Sequence, residues 1–234
     1  DNDSAAVSLN VSGFCAHADA SHTLSYGAPG LPPVLSINPS SGLISGTLNS
    51  SASVGGPYSV TITADDGNGG TITQAFTWLV ANPVPVATDD NYSLGEDAAA
   101  TVLGNAITDN DSDPDGDALS ATVQTNVLGS SGGLFSIAAN GQVTFNPNGQ
   151  FNDLAVGETR TTSLSYVITD ADGASDSASI TITVNGANDG PSTLGTIADQ
   201  ADNDSSAVSL NVSGFFADAD TSDVLSYSAT GLPA

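Results

Sequence analysis

The side chains in this sequence that could do chemistry are nearly all carboxylates, and they come in short clusters. In chain order these are Asp65-Asp66, Asp89-Asp90, Glu96-Asp97, the run Asp109, Asp111, Asp113, Asp115 and Asp117, then Asp170, Asp172 and Asp189, and last Asp218, Asp220 and Asp223. Two unit charges about 4 Å apart interact by about 4 kcal/mol at the dielectric of a protein surface, so such crowding is unfavourable without a counter-charge. The chain has one basic side chain other than histidine, Arg160, against 26 acidic ones, for a net charge of −25. Ion pairs therefore cannot neutralise the clusters, and a small cation is the expected counter-charge. The donors on offer are carboxylates, Asn side chains and backbone carbonyls, which suit Ca²⁺ with its roughly six to eight oxygen ligands. Zinc and copper select imidazole and thiolate instead.

Other chemistries fail on residue type or context. Asp111 to Gly116 reads D-x-D-x-D-G, the opening of an EF-hand loop, but Thr122 stands where a bidentate Glu is needed. Cys15 is the single cysteine, so no internal disulfide or four-thiolate zinc site can form. Cys15, His17 and His22 have the right residue types for zinc, yet they are only three ligands, and a strand would turn alternate side chains to one face. Gly129-Ser130-Ser131-Gly132-Gly133 matches the G-x-S-x-G elbow, but its domain contains no His, so a flexible hairpin is expected there. Paired carboxylates can hydrolyse glycosides from a cleft that raises one pKa, whereas these lie in repeated turns. No enzyme is expected. The acidity also disfavours nucleic acid and anionic membrane surfaces, and no apolar run reaches the roughly 18 residues of a membrane-spanning helix.

The elements that position these clusters follow from an internal repeat. Residues 1–33 align without gaps on residues 202–234 with 24 identities, a period of 201 residues. Pro-containing linkers at Asn82 to Val86 and Asn188 to Pro191 divide that period, giving expected domains at 1–84, 85–189 and 190–234. The pattern reads as a window from an array alternating two domain types, with the first domain short of its first strand. Alternating apolar and polar residues predict half-buried strands at Tyr58 to Ala64, Thr71 to Val80, Ser163 to Thr169 and Ala178 to Val184. Phe76, Trp78 and Val80 should share one face, and Ala75, Thr77 and Leu79 the other. Turns are marked by Ser41-Gly42, Asp66-Gly67, Gly69-Gly70, Asn140-Gly141 and Asp172-Gly173. A short helix is expected at Glu96 to Leu103. The fold class is all-β: tandem antiparallel β-sandwiches.

Particular motifs sharpen this. Phe215-Phe216-Ala217-Asp218-Ala219-Asp220 with Leu225-Ser226-Tyr227 and Gly231-Leu232-Pro233 resembles a dystroglycan-type cadherin-like domain. Residues 11–80 carry the same pattern, through Leu35 to Pro39, Gly42 to Thr47 and Tyr58 to Asp66. Residues 86–189 resemble the VCBS-type cadherin-like repeats of giant adhesins, through Val86 to Asp90, the 109–117 acid run, Tyr166 to Gly173 and Val184 to Pro191.

The resemblance implies Ca²⁺ held between consecutive domains. At the second junction it implies Glu96, Asp170, Asp172, Asn188 and Asp189, with Asp218 and Asp220 from the third segment. At the first it implies Asp65, Asp66 and Asn82 with Asp113, Asp115 and Asp117. In the first copy His17 and His22 replace Asp218 and Asp223, leaving Asp19, so calcium is expected to bind weakly there or not at all. The implied function is a calcium-rigidified extender repeat of a large secreted bacterial adhesin or extracellular filament. Its partners would be neighbouring repeats of the same chain or fibre, and its location the cell surface or beyond. The alternative is a carbohydrate-binding module for surface or matrix polysaccharide, with Trp78, Tyr58 and Tyr92 as stacking platforms. A third arrangement has one protomer's edge strand completing its neighbour.

Overall fold

The structure is a computed structural model that describes residues 1–18, 22–203 and 205–232 of the chain. Asp19 lies outside the described residues. The first domain contains β1 (Ala6–Asn10), β2 (Ser25–Gly27), β3 (Ser36–Ile37), β4 (Leu43–Thr47), β5 (Tyr58–Asp65) and β6 (Thr71–Trp78). They form two three-stranded sheets, in the orders β1-β4-β3 and β2-β5-β6. Between the sheets lie Val7, Val11, Tyr26, Leu35, Ile44, Leu48, Val60, Ile62 and Trp78. Alternation along β6 runs as the pattern predicts: Trp78 is buried and Phe76 and Val80 pack on the core, while Ala75, Thr77 and Leu79 are exposed. The edge where a first strand was expected to be missing carries a short parallel pairing. There the Asp3 N–H donates to the Ala81 carbonyl and the Ala81 N–H to the Asp1 carbonyl.

The middle domain contains β7 (Asp90–Gly95), β8 (Thr101–Asn105), α1 (Ala106–Asn110), β9 (Ser120–Ala121), β10 (Gln124–Leu128), β11 (Leu134–Ile137), β12 (Gln142–Asn146), β13 (Thr159–Thr169) and β14 (Ser175–Asn185). Its sheets run β10-β11-β12-β8 and β7-β14-β13-β9, with β7 parallel to β14. Phe135, Phe145, Phe151, Tyr166, Ile168, Ile180 and Ile182 fill the space between them, all fully buried. The short helix falls later than the sequence predicts. Thr101 to Asn105 pair with β12, and the helix starts only after Asn105, whose side chain accepts from the N–H groups of Ile107 and Thr108. An alanine run without a cap did not compete with a sheet partner. The Gly129 to Gly133 segment is the turn between β10 and β11, closed by the Gly129 N–H on the Gly133 carbonyl.

One feature of both sandwiches governs where the acids end up. The strands β13 and β14, each 11 residues long, are joined by the 170–174 turn and pair along their whole length. At about 3.3 Å per residue that turn lies roughly 35 Å along β14 from the 186–189 linker. The hairpin of β5 and β6, eight residues each, likewise carries the 66–70 turn away from the linker at Asn82.

The third segment forms little sheet among its described residues. Its two strands, β15 (Ser192–Thr193) and β16 (Phe216–Ala217), pair with each other. Residues 207–211 match β1 in sequence but form no strand.

Candidate metal centres at the domain junctions

The first junction gathers acids from three places. From the first domain comes Asp3, 3% exposed, whose Oδ1 accepts the Ser53 N–H at 2.8 Å. The linker supplies Asn82, whose amide donates to Asp170 Oδ2 at 2.9 Å. The middle domain supplies two loops. In one, Asp113 Oδ1 accepts the N–H groups of Asp115, Gly116 and Asp117 at 3.0 to 3.2 Å, which curls the loop around the Asp113 carboxylate. In the other, Asp170 Oδ1 accepts the N–H groups of Asp172, Gly173 and Ala174 at 2.6 to 3.0 Å and shapes the hairpin turn that presents Asp172. Ser4 of the first domain donates its hydroxyl to the Asp115 carbonyl at 2.9 Å.

The electrostatics of this group are those of a cation site. Burial works against the charge on Asp113, but hydrogen bonds from Asp115 and from the loop N–H groups outweigh it and hold its carboxyl below the usual range. Asp115 is pushed up to about 7 by burial and by the neighbouring Asp113, Asp117 and Asp3. Asp172 is raised by burial and by Asp117, Asp3 and Asp170.

The second junction repeats the plan with fewer groups. Glu96, 3% exposed, follows β7 as Asp3 precedes β1; its N–H donates to the Asn185 carbonyl, and its Oε1 accepts the Ala187 N–H at 2.7 Å. Burial raises its carboxyl, as do the charges of Asp189, Asp97 and Asp220. The Asp189 N–H donates to Asp220 Oδ2 at 3.0 Å, and the Asp220 N–H to Asp218 Oδ1 at 3.1 Å. Asp218, Asp220 and Asp223 bring one oxygen each to within 4.8 Å of one another. Asn188 is exposed, with its amide on the Asp189 carbonyl.

Buried polar atoms without partners identify what these groups lack. Among the described residues there are 11 such side-chain atoms, all oxygens. Seven are at the first junction: Asp3 Oδ2, Asn82 Oδ1, Asp113 Oδ2, both oxygens of Asp115, Asp117 Oδ2 and Asp172 Oδ2. Three are at the second: Glu96 Oε2, Asp189 Oδ2 and Asp220 Oδ1. A buried, unpaired oxygen of this kind is costly, and nine carboxylate oxygens and one amide oxygen on residues near the two linkers suit a hard cation with several oxygen ligands. The Arg160 guanidinium is held by Asp153 and hydrogen-bonds to neither group.

The sequence expectation and the structure differ in grouping. Asp113, Asp115 and Asp117 lie on one loop of the first junction and Asn82 on its linker, and Glu96, Asp189, Asp218 and Asp220 lie at the second. Asp170 and Asp172, expected at the second junction, sit at the first, because the long β13–β14 hairpin carries their turn to the opposite end from the 186–189 linker. Asp65 and Asp66, expected at the first junction, sit at the far end of the first domain, where Asp66 Oδ2 lies 3.3 Å from His17 Nε2. Sequence reasoning missed Asp3. Its signal was the analogy with Glu96, hidden by the assumption that the first strand was absent.

Known families agree with this architecture. Residues 82–186 match the bacterial cadherin-like domain, and residues 1–81 match a putative Ig domain. Cadherin-like domains generally bind Ca²⁺, commonly meet neighbouring repeats, and point to an adhesive or extracellular repeat role; both families are typically structural and not enzymatic. Among solved structures, the chain is similar to Drosophila N-cadherin EC1-3, at 17% identity and TM-score 0.34, covering 72% of this chain and 57% of that one. It is also similar to the human desmocollin-1 ectodomain (18% identity, TM-score 0.36, 77% of this chain and 37% of that one). A third is human mucin-like protocadherin EC1-2, at 14% identity and TM-score 0.35, covering 73% and 87%. The chain therefore spans little more than half the length of the first of these and about a third of the second. No curated protein matches the chain. Among the described residues, no helix is long and apolar enough to cross a membrane.

Proposed function

We propose that this chain is an extender segment of a secreted bacterial surface adhesin or extracellular filament, made stiff by Ca²⁺ at its domain junctions. The observation that carries the reading is the set of ten buried, unpartnered oxygens on residues near the two linkers. Asp3, Asn82, Asp113, Asp115, Asp117 and Asp172 would hold the ion at the first junction, and Glu96, Asp189, Asp218 and Asp220 at the second. Calcium would supply the positive charge that the chain lacks. Without it, carboxylates on both sides of a linker push adjoining domains apart; with it, the same side chains become shared ligands that fix the angle between domains. An ion that binds only the ordered junction also stabilises it, by about 2.7 kcal/mol when its concentration is 100-fold above Kd.

The carbohydrate-binding alternative requires exposed aromatic platforms. Trp78 is only 6% exposed and its indole N–H donates to Asp1 Oδ2. The Tyr58 hydroxyl is committed to the Ala52 carbonyl, and Tyr92 packs against the core. These positions favour a spacer.

Thermal melting and small-angle scattering of the whole chain, with Ca²⁺ and with chelator, test the proposal. Calcium should raise the melting temperature and lengthen the maximum dimension while narrowing its spread. Equal melting points and scattering profiles in the two conditions would sink it.

A further inference from the structure

Beyond the two junctions, the geometry points to a third metal site of different chemistry: we propose that His17, His22 and Asp66, at the far end of the Ig-like domain, bind a borderline divalent cation of the zinc class. One ligand atom from each of the three lies within 4.8 Å of the others. His17 Nε2 is 3.3 Å from Asp66 Oδ2, and the two imidazole rings sit 4.9 Å apart between centroids. A tetrahedral ion about 2.1 Å from each ligand sets them roughly 3.4 Å apart. The His17 and Asp66 atoms already have that spacing, and the exposed His22 ring can rotate to reach it.

The chain itself indicates that this position is a cation site. In the repeated segment, His17 corresponds to Asp218 and His22 to Asp223, residues that lie beside the unpartnered oxygens of the second junction. Asp66 comes from the β5–β6 turn, as Asp170 and Asp172 come from the β13–β14 turn that faces Asp113 to Asp117 in the middle domain. The same two loops thus form the same cradle, with two carboxylates exchanged for imidazoles. That exchange removes hard oxygen donors and adds borderline nitrogen donors, which disfavours Ca²⁺ and favours Zn²⁺, Ni²⁺ or Cu²⁺.

Asp66 is already set as a ligand. Its Oδ1 accepts the N–H groups of Asn68 at 2.8 Å and Gly70 at 2.9 Å, which aims Oδ2 toward the imidazoles. The three side chains leave a fourth position for water or for a donor from a neighbouring domain. His17 and His22 flank an open cleft of about 470 Å³ lined also by Ser12, Tyr26 and Ser41, so an ion has access from solvent. Cys15, the remaining soft donor, lines a separate apolar pocket with Leu9, Val11, Phe14 and Phe76 and is not a ligand.

The test uses the full chain without a histidine tag, in millimolar Ca²⁺ so that oxygen-donor sites are filled independently. Calorimetric titration with Zn²⁺ should give one equivalent bound in the micromolar range. Co²⁺ at the same site should give visible d–d absorption with no thiolate charge-transfer band, unchanged by Cys15→Ser. The double substitution His17→Asp with His22→Asp rebuilds the acidic set of the repeat. It should lower zinc affinity by more than the roughly 10- to 100-fold that outer-shell changes cost, while leaving the calcium-dependent melting of the chain in place. Zinc binding that survives this double substitution, that is lost in Cys15→Ser, or that is absent at micromolar concentration would overturn the assignment.

Discussion

Replacing Asp115 by Asn should have opposite effects with and without calcium. Both Asp115 oxygens are buried and lack a hydrogen-bond partner, and the carboxyl is pushed up to about 7 from 3.8 by burial and the neighbouring Asp113, Asp117 and Asp3. The unfolded chain releases this proton near pH 4 and the metal-free fold only near pH 7. Stability from this group is therefore fully present below pH 4 and is lost as pH rises to 7. Each pKa unit corresponds to about 1.4 kcal/mol, giving an upper bound of about 4 kcal/mol; partial solvent access and relaxation should reduce this to about 1–2 kcal/mol. Asp115→Asn removes that penalty, so in chelator at pH 7.5 it should raise the melting temperature of the cadherin-like domain by about 4–10 °C. In saturating Ca²⁺ the same variant loses a charged ligand and should melt lower than the parent chain. Differential scanning calorimetry in the two buffers reads both signs. A variant that melts lower than the parent in chelator, or that gains as much from calcium as the parent does, would refute the reasoning that Asp115 is a ligand held in readiness against its own repulsion.

Asp170→Ala removes the acceptor for three turn N–H groups and the Asn82 amide. It should destabilise the cadherin-like domain by about 2–4 kcal/mol and weaken calcium binding at the first junction, while a calcium titration still detects the second. Asp90, 5% exposed, is pushed up to about 6 by burial, partly opposed by the Tyr166 hydroxyl and reinforced by Asp111 and Asp109. Its contribution favours the fold below pH 4 and is lost by pH 6, so Asp90→Asn should flatten the fall in melting temperature between those values, worth up to about 3 kcal/mol. Gly133 has φ +74° and an added Cβ would lie 2.1 Å from the Phe145 ring. Gly133→Ala should therefore cost about 2–4 kcal/mol, and a denaturant midpoint equal to the parent's would contradict that packing.

The strands, their turns and the chemistry of the acidic clusters were legible because each depends on local pattern. Alternation placed Phe76 and Trp78 inward, Asp172-Gly173 marked a hairpin, and a surplus of oxygen donors over basic side chains called for a hard cation. Grouping the acids was harder. Asp170 and Asp172 are close in sequence to the 186–189 linker yet face the other junction, because an extended 11-residue strand separates them from it. That consequence follows from strand length once the hairpin is accepted, but family resemblance alone drew them to the wrong end.

A β-strand satisfies its backbone through a partner distant in sequence, as β1 does through β4. By itself the sequence determined the all-β class and the repeat. Tertiary structure alone decided which carboxylates share a site and that Asp3 joins them, because strand pairing and the direction of each hairpin bring together residues that no local pattern connects.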